Sequence, residues 1–179
     1  NYTQRFGNSK VDWVERFIDV NSKANSTKNI FLICDRDYLA ITDLNGCRVK
    51  SAEGRPNNYT LPNNGTAYLL SWKRREIENY LLSYTLLRKN GILTKVNDNF
   101  GTSMKIKKDE FNDNEQVMNF DCKKILQPLY LRDGQKIASS NESWVDYEKL
   151  SDLIDLIPRS EISPNIGEMY TFLKNKVIS

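Results

Sequence analysis

The sequence predicts an α/β fold: a parallel β-sheet flanked by helices, followed by a mostly helical C-terminal extension. Residues 30–34 and 66–72 are short apolar runs with the length of buried strands. Segments with the apolar spacing of amphipathic helices lie before the first run and directly after the second. Because buried strands that alternate with helices are typical of parallel sheets, we expect both strands in one such sheet.

The first half of the chain contains the predicted sheet. A helix is expected at about residues 9–22, and a short helical or irregular piece at 39–44. Residues 45–65 are rich in Asn, Gly and Pro, as in a binding loop beside an active edge or in a surface insertion. After the second strand, a helix is expected to begin near Arg75 and to bury an apolar stripe. That stripe consists of Ile77, Tyr80, Leu81 and Tyr84.

The second half is predicted to be mostly helical. Residues 92–114 have the composition of a turn-rich or hairpin region, and 115–127 are expected to form a helix that Pro128 ends. Further helices are expected at 144–157 and 166–177. The last has an apolar face made of Ile166, Met169, Tyr170, Leu173 and Val177.

Length and composition indicate an ordinary globular protein. The 179 residues, 39% of them hydrophobic, suffice for one core with a small helical appendage. We predict an α/β core at 1–90 and a helical extension at 91–179 that packs on it. Because no apolar run is long enough to span a membrane and no signal-peptide pattern opens the chain, we expect a cytoplasmic protein without a membrane partner.

Two absences restrict the chemistry. Histidine is missing, which excludes histidine triads and the commonest zinc ligand. The three cysteines, Cys34, Cys47 and Cys122, form no C-x-x-C motif, so neither a disulfide framework nor a thiolate zinc site is indicated. Acid, lysine, tyrosine and metal chemistry remain.

Basic residues are clustered although the net charge is only +3. One cluster is Lys73-Arg74-Arg75 and the other lies at 105–108. Each is compatible either with solvated surface, the commoner case, or with contact to phosphate. The charge therefore permits nucleic-acid binding without demonstrating it.

Asp35 and Asp37 form a D-x-D motif directly after the first strand. Ligands of open α/β sheets bind at the carboxyl ends of the strands. Two carboxylates are also the usual protein contribution to a Mg²⁺ site. The motif alone leaves two interpretations open, a metal site or a solvated turn.

Glu76 and Glu78 follow the second strand and should lie at the same edge of the sheet. On an α-helix these two positions are about 200° apart, so both carboxylates reach one place only if the first turn is irregular. The alternative is an ordinary helix N-terminus, where acids favour the macrodipole.

Together, the strand ending in Asp35-Arg36-Asp37-Tyr38 and the R-R-E-I-E-N-Y-L-L motif at 74–82 resemble the toprim domain of the overcoming-lysogenization-defect (OLD) family nucleases and related antiphage-defence proteins. The resemblance covers about residues 5–85. It implies a toprim-like fold and a Mg²⁺- or Mn²⁺-dependent endonuclease that hydrolyses DNA or RNA phosphodiesters. It also implies an ABC-type ATPase domain or subunit as partner, and a homo-oligomer is compatible with it.

The resemblance assigns roles to particular residues. Its implied catalytic residues are Asp35, Asp37, Glu76 and Glu78, with Asp35, Asp37 and Glu78 as metal ligands. From their clustering, we expect Lys73, Arg74 and Arg75 to contact nucleic-acid phosphate. The lysine that completes such sites is left open among Lys73, Lys174 and Lys176. The family's upstream strand ending in glutamate has no counterpart here, and we expect it before Asn1 or in a separate segment.

Two other functions compete with this one. A catalytically degenerate toprim module would bind or regulate without cleaving. A haloacid-dehalogenase-type phosphotransferase shares the strand and D-x-D but requires a downstream acidic pair at a strand end, for which the sequence has no convincing candidate.

Overall fold

The structure, a computed structural model, describes residues 29–37, 39–50, 58–60, 65–101, 104–132 and 145–178. The predicted helix at 9–22 lies outside these residues. Two compact units make up the chain, Asn1–Lys73 with Gly167–Ser179, and Arg74–Ile166. The predicted division after residue 90 differs from this one and stays a prediction.

A five-stranded sheet organises the first unit. Its strands are β1 (Asn29–Cys34), β2 (Leu44–Asn45), β3 (Arg48–Val49), β4 (Asn58–Thr60) and β5 (Thr66–Ser71). Strand β1 pairs in parallel with β5 along its full length, whereas β3 and β4 pair antiparallel with β5, and β2 pairs antiparallel with β3. The α/β class and the two predicted strands are therefore confirmed. The described sheet is mixed, however, rather than parallel throughout.

Alternation along the strands produces two apolar faces. Leu32 of β1 and Leu69 of β5 pack with Leu44 and Val49 in one cluster. Tyr68 and Leu70 of β5 point the other way and pack with Cys47 and with the last helix, α6 (Pro164–Ile178). The prediction of 39–44 as a short helical piece agrees with a 3₁₀ helix at Ile41–Asp43.

Helix α6 confirms the helix predicted at the C-terminus, but its buried face differs from the predicted one. Met169 is buried, and Phe172 and Leu173 pack beside it on the sheet. Tyr170 and Val177 are exposed. Residues at i, i+3 and i+4 share a face, so burying Met169 with Phe172 turns Tyr170 outward.

The second unit is helical. Its helices are α1 (Tyr84–Lys89), α2 (Leu93–Asp98), α3 (Glu115–Asn119), α4 (Lys123–Tyr130) and α5 (Tyr147–Asp155), with 3₁₀ helices at Ile77–Leu81 and Arg159–Glu161. Their core contains Leu86, Leu87, Val96, Val117 and Leu126, all fully buried. Among the described residues, no helix has the length and apolarity that crossing a membrane requires.

The helix predicted from Arg75 is wrong in type, and its predicted buried stripe is correct at Leu81 and Tyr84 but not at Ile77. A 3₁₀ turn at Ile77–Leu81 comes first, and α1 begins only at Tyr84, where Ser83 Oγ accepts a hydrogen bond from the backbone N–H of Leu86. Ile77 is 52% exposed although it was expected in the buried stripe. Ser83 is a favourable N-cap residue, and its position explains why the α-helix starts late.

Two predictions for the second half are also corrected. The region at 92–114 contains the helix α2, and α4 continues through Pro128 to Tyr130. Proline removes one backbone donor but fits helical φ, so this short helix ends two residues later rather than at Pro128. The helix predicted at 144–157 is confirmed by α5, which Asp146 caps by accepting from two backbone N–H groups.

Candidate functional site

The D-x-D motif lies at the carboxyl end of β1. Asp35 follows the strand directly and is half-buried, and Asp37 is exposed. Cys34 at the end of β1 is opposite Ser71 at the end of β5, so Lys73, two residues beyond β5, follows the same edge. This is the edge at which ligands bind in parallel α/β sheets.

Arg36, between the two aspartates, holds this edge together. It is only 3% exposed, and its Nε donates to the Lys73 carbonyl oxygen over 2.8 Å. Its Nη1 donates to the carbonyl oxygen of Leu39, beyond the motif. One buried guanidinium therefore joins the D-x-D loop to the end of the neighbouring parallel strand.

Asp37 has a left-handed backbone conformation, with φ of 50°. For a residue with a Cβ this conformation costs about 1–2 kcal/mol, although aspartate tolerates it better than most. Strained residues of this kind are concentrated at ligand sites, where the surrounding structure holds them in place.

The three basic residues of the 73–75 cluster have different environments. Lys73 Nζ lies 2.7 Å from a Glu168 carboxylate oxygen, with the two side chains 28% and 46% exposed. The Arg75 side chain is 24% exposed, and its guanidinium lies 3.6 Å from Asp121. Both remain accessible to solvent.

Arg74, by contrast, is 1% exposed and has a structural role. Its guanidinium forms a salt bridge with Asp113 at 2.6 Å and donates to the backbone carbonyls of Asn79 and Phe111. It also lies 5.0 Å from the ring centre of Tyr80. A phosphate therefore cannot reach the Arg74 guanidinium in this conformation, although Arg74 was among the expected phosphate contacts.

Glu76 and Glu78 belong to the second unit, separate from the unit that contains the D-x-D motif. Glu76 is 6% exposed and its Oε1 lies 3.4 Å from Lys123 Nζ. Glu78 Oε1 accepts a hydrogen bond of 3.2 Å from the Tyr130 hydroxyl. The first turn is irregular, because Glu76 has extended backbone angles before the 3₁₀ helix begins.

The two glutamates interact electrostatically. Burial raises the pKa of Glu76; Lys123 opposes this, and the Glu78 charge adds to it. Burial, with the charge of Glu78 and its hydrogen bond, also raises the pKa of Tyr130. Each glutamate has one buried oxygen, its Oε2, without a hydrogen-bond partner in the described part of the chain.

These two orphaned oxygens suit a cation. Buried carboxylate oxygens without partners are costly, and hard divalent cations prefer such ligands. A group of three or more acidic or cysteine side chains arranged around a metal position was not found among the described residues. Carboxylate oxygens are nevertheless the ligands that Mg²⁺ and Mn²⁺ prefer, and each of the two motifs supplies two carboxylates.

The rest of the 74–82 motif builds the scaffold of the second unit. Asn79 is fully buried, and its Nδ2 donates to the carbonyl oxygens of Val117 and Phe120. Leu81 and Leu82 belong to the apolar core. The motif thus combines buried residues that fix the turn with two acids that the turn brings together.

Sequence reasoning missed Lys123 and Tyr130, which contact the acidic pair. Both come from α4, more than forty residues after the motif. Neither stands in a recognisable pattern, so only the packing of α4 shows their role. Of the other candidate lysines, Lys176 lies 5.8 Å from the ring centre of Tyr68, within the first unit.

The comparisons with known proteins found no relative. No protein-family model matches the chain, and neither the curated proteins nor the solved structures contain a match.

Proposed function

We propose that this protein is a toprim-type, metal-dependent endonuclease that hydrolyses phosphodiester bonds of DNA or RNA. One observation carries the proposal: two parallel strands bring the D-x-D motif and Lys73 to the same edge, where the buried Arg36 links them. Acids that can hold a metal ion, beside a cation at this edge, are suited to a phosphodiester substrate, which is an anion whose hydrolysis a bound metal ion assists.

The proposal gives the carboxylates the role of metal ligands. Asp35 and Asp37 would hold Mg²⁺ or Mn²⁺, and Glu78, with Glu76 beside it, would hold a second ion. A bound divalent ion would supply an activated water and neutralise charge on the leaving oxygen. The unpartnered oxygens of Glu76 and Glu78 support this role, because a metal ion stabilises a buried carboxylate oxygen that has no hydrogen-bond partner.

The residues themselves hold and orient the substrate. Lys73 and Arg75 are accessible cations that can contact backbone phosphate, whereas Arg74 supports the turn from inside. Arg36 keeps the loop of Asp35 and Asp37 in place before substrate binds. A toprim-like arrangement of the sheet, an ABC-type ATPase partner, antiphage defence and a cytoplasmic location are further parts of the proposal, and they depend on the resemblance.

Nicking of supercoiled plasmid DNA, and cleavage of an RNA of similar length, test the proposal in Mg²⁺ or Mn²⁺. The variant with Asp35→Ala and Asp37→Ala should lose cleavage. A matched control with Asp152→Ala and Asp155→Ala removes two exposed aspartates from α5 and should cleave normally. Undiminished cleavage by the first variant would disprove the metal role of the D-x-D motif.

A degenerate binding module is the second candidate. Lys123 favours it, because its ammonium already supplies positive charge 3.4 Å from Glu76. Calorimetric titration with Mn²⁺ separates the candidates. The nuclease predicts binding that Asp35→Ala with Asp37→Ala weakens, and the module predicts no binding by the intact protein.

A further inference from the structure

A cavity of about 720 Å³ lies within the first unit, between the β2–β3 turn and α6. It is open to solvent and has a volume typical of ligand sites. The polar side chains that line it include Asn45, Arg48, Lys73, Glu168, Thr171 and Asn175. Of these, only Lys73 has a role in the proposed function.

Three charges converge on this cavity. Arg48, Lys73 and Glu168 all act electrostatically on the thiol of Cys47, which also lines the cavity. Two cations and one carboxylate leave an excess of positive charge. An anion is therefore the class of ligand that the cavity favours.

The two cations are available to such an anion. Lys73 is paired with Glu168, but both side chains are partly exposed, and exposed ion pairs contribute little stability. No described carboxylate forms a salt bridge with Arg48, whose guanidinium lies 5.9 Å from the ring centre of Phe172. A contact with the face of a ring uses the positive charge of Arg48 but none of its N–H donors.

The position of the cavity connects it to the D-x-D edge. Arg48 is opposite Leu70 in the pairing of β3 with β5, and Lys73 follows β5 at the end where Asp35 leaves β1. The backbone carbonyl of Lys73 accepts the hydrogen bond from Arg36. Residues of the cavity and residues of the D-x-D loop are therefore joined through Lys73.

We infer that this cavity binds a backbone phosphate of a nucleic-acid strand, through the Arg48 guanidinium and the Lys73 ammonium, in competition with the Glu168 carboxylate. The inference rests on the proposed function, since it extends the path of the same substrate from the D-x-D edge. Arginine offers several N–H donors to phosphate oxygens, and lysine offers a point charge. Glu168 holds Lys73 until phosphate displaces it, so it lowers affinity for anions.

The test measures binding of a fluorescent single-stranded oligonucleotide by the full chain in EDTA, where no cleavage occurs. Arg48→Gln and Lys73→Gln should each weaken binding about tenfold, as expected for the loss of one charge-assisted hydrogen bond. Each should also reduce the slope of log K against log salt by about 0.7. Glu168→Gln should strengthen binding, because it removes the competing charge and keeps a similar shape.

Lys50→Gln is the control, because Lys50 is an exposed lysine of the same unit whose ammonium donates to a backbone carbonyl. It should leave binding nearly unchanged. Arg48→Lys, which keeps the charge, should restore part of the lost affinity and shows whether Arg48→Gln acts through folding. Equal binding by wild type, Arg48→Gln and Glu168→Gln would overturn the inference, as would binding of inorganic phosphate without binding of the oligonucleotide. Because metal is absent, these results do not depend on whether the protein cleaves.

Discussion

Replacing Arg74 by methionine should unfold the second unit far more readily than replacing its neighbour Arg75. The Arg74 side chain is 2% exposed, and its salt bridge to Asp113 is accompanied by donation to two backbone carbonyls. Asp113 also accepts hydrogen bonds from Ser163 and Asn165. Removing the guanidinium leaves a largely buried carboxylate and two carbonyls without their donor.

The magnitude follows from this burial. Removing one partner of a buried ion pair typically costs about 3–5 kcal/mol. The pair of Arg75 with Asp121 is 3.6 Å long, with side chains 24% and 53% exposed. Pairs that are open to solvent contribute about 0–1 kcal/mol, and this pair is longer and more exposed than that of Arg74, so Arg75→Met is the comparison variant.

Urea unfolding followed by circular dichroism measures both variants. Adding Asp113→Asn to Arg74→Met should recover part of the lost free energy, because the uncompensated charge is removed. A loss of less than about 1 kcal/mol for Arg74→Met, or equal losses for both arginines, would refute the structural role of Arg74. In that case Arg74 would return to the candidate phosphate contacts.

Three further predictions concern acids. In thermal melting at pH 7, the Glu76→Gln variant should be more stable than wild type, because the raised pKa of Glu76 makes its ionisation costly in the folded state. This gain in stability should vanish below about pH 4.5. A loss of stability at pH 7 would contradict the prediction. Burial raises the pKa of Glu161, but hydrogen bonds from Ser83, Thr85 and Asp109 outweigh it and lower the pKa overall, so stability should fall as pH drops below 4.5. When urea midpoints are measured against pH, the Glu161→Gln variant should lose less stability below pH 4.5 than wild type. The same pH dependence in both proteins would contradict this prediction. The Asp37→Gly variant should have an unfolding free energy about 1 kcal/mol higher than that of the Asp37→Ala variant. Equal unfolding free energies would show that the left-handed backbone conformation at position 37 is not strained.

The sequence predicted correctly those features that depend on residues close together in the chain. Apolar runs marked β1 and β5, and the acids after β1 marked the edge of the sheet. These signals are local, since a buried strand needs consecutive apolar residues and a strand end needs polar ones. The same signals could not show that three of the pairings in the sheet are antiparallel, because β2, β3 and β4 are only two or three residues long.

The acidic motif shows the limit of helical spacing. On an ideal α-helix, Glu76 and Glu78 are about 200° apart, so the sequence predicted only that both carboxylates reach one place if the first turn is irregular. The structure has an irregular first turn, with extended angles at Glu76 followed by a 3₁₀ helix, and Asn79 fixes that turn through the carbonyls of Val117 and Phe120. The deciding hydrogen bonds join residues about forty positions apart, beyond any local pattern.

By itself, the sequence determined the α/β class, the two parallel strands and the place where Asp35 and Asp37 leave the first of them. Only the tertiary structure decided which charged residues are buried. Arg74 and Arg75 are neighbours in the sequence, yet Arg74 is enclosed by Asp113 and backbone carbonyls, whereas the Arg75 side chain is partly exposed. Burial of a residue depends on which side chains other segments of the chain bring next to it. A buried charge needs partners within the protein to offset its desolvation, whereas an exposed charge remains available to substrate.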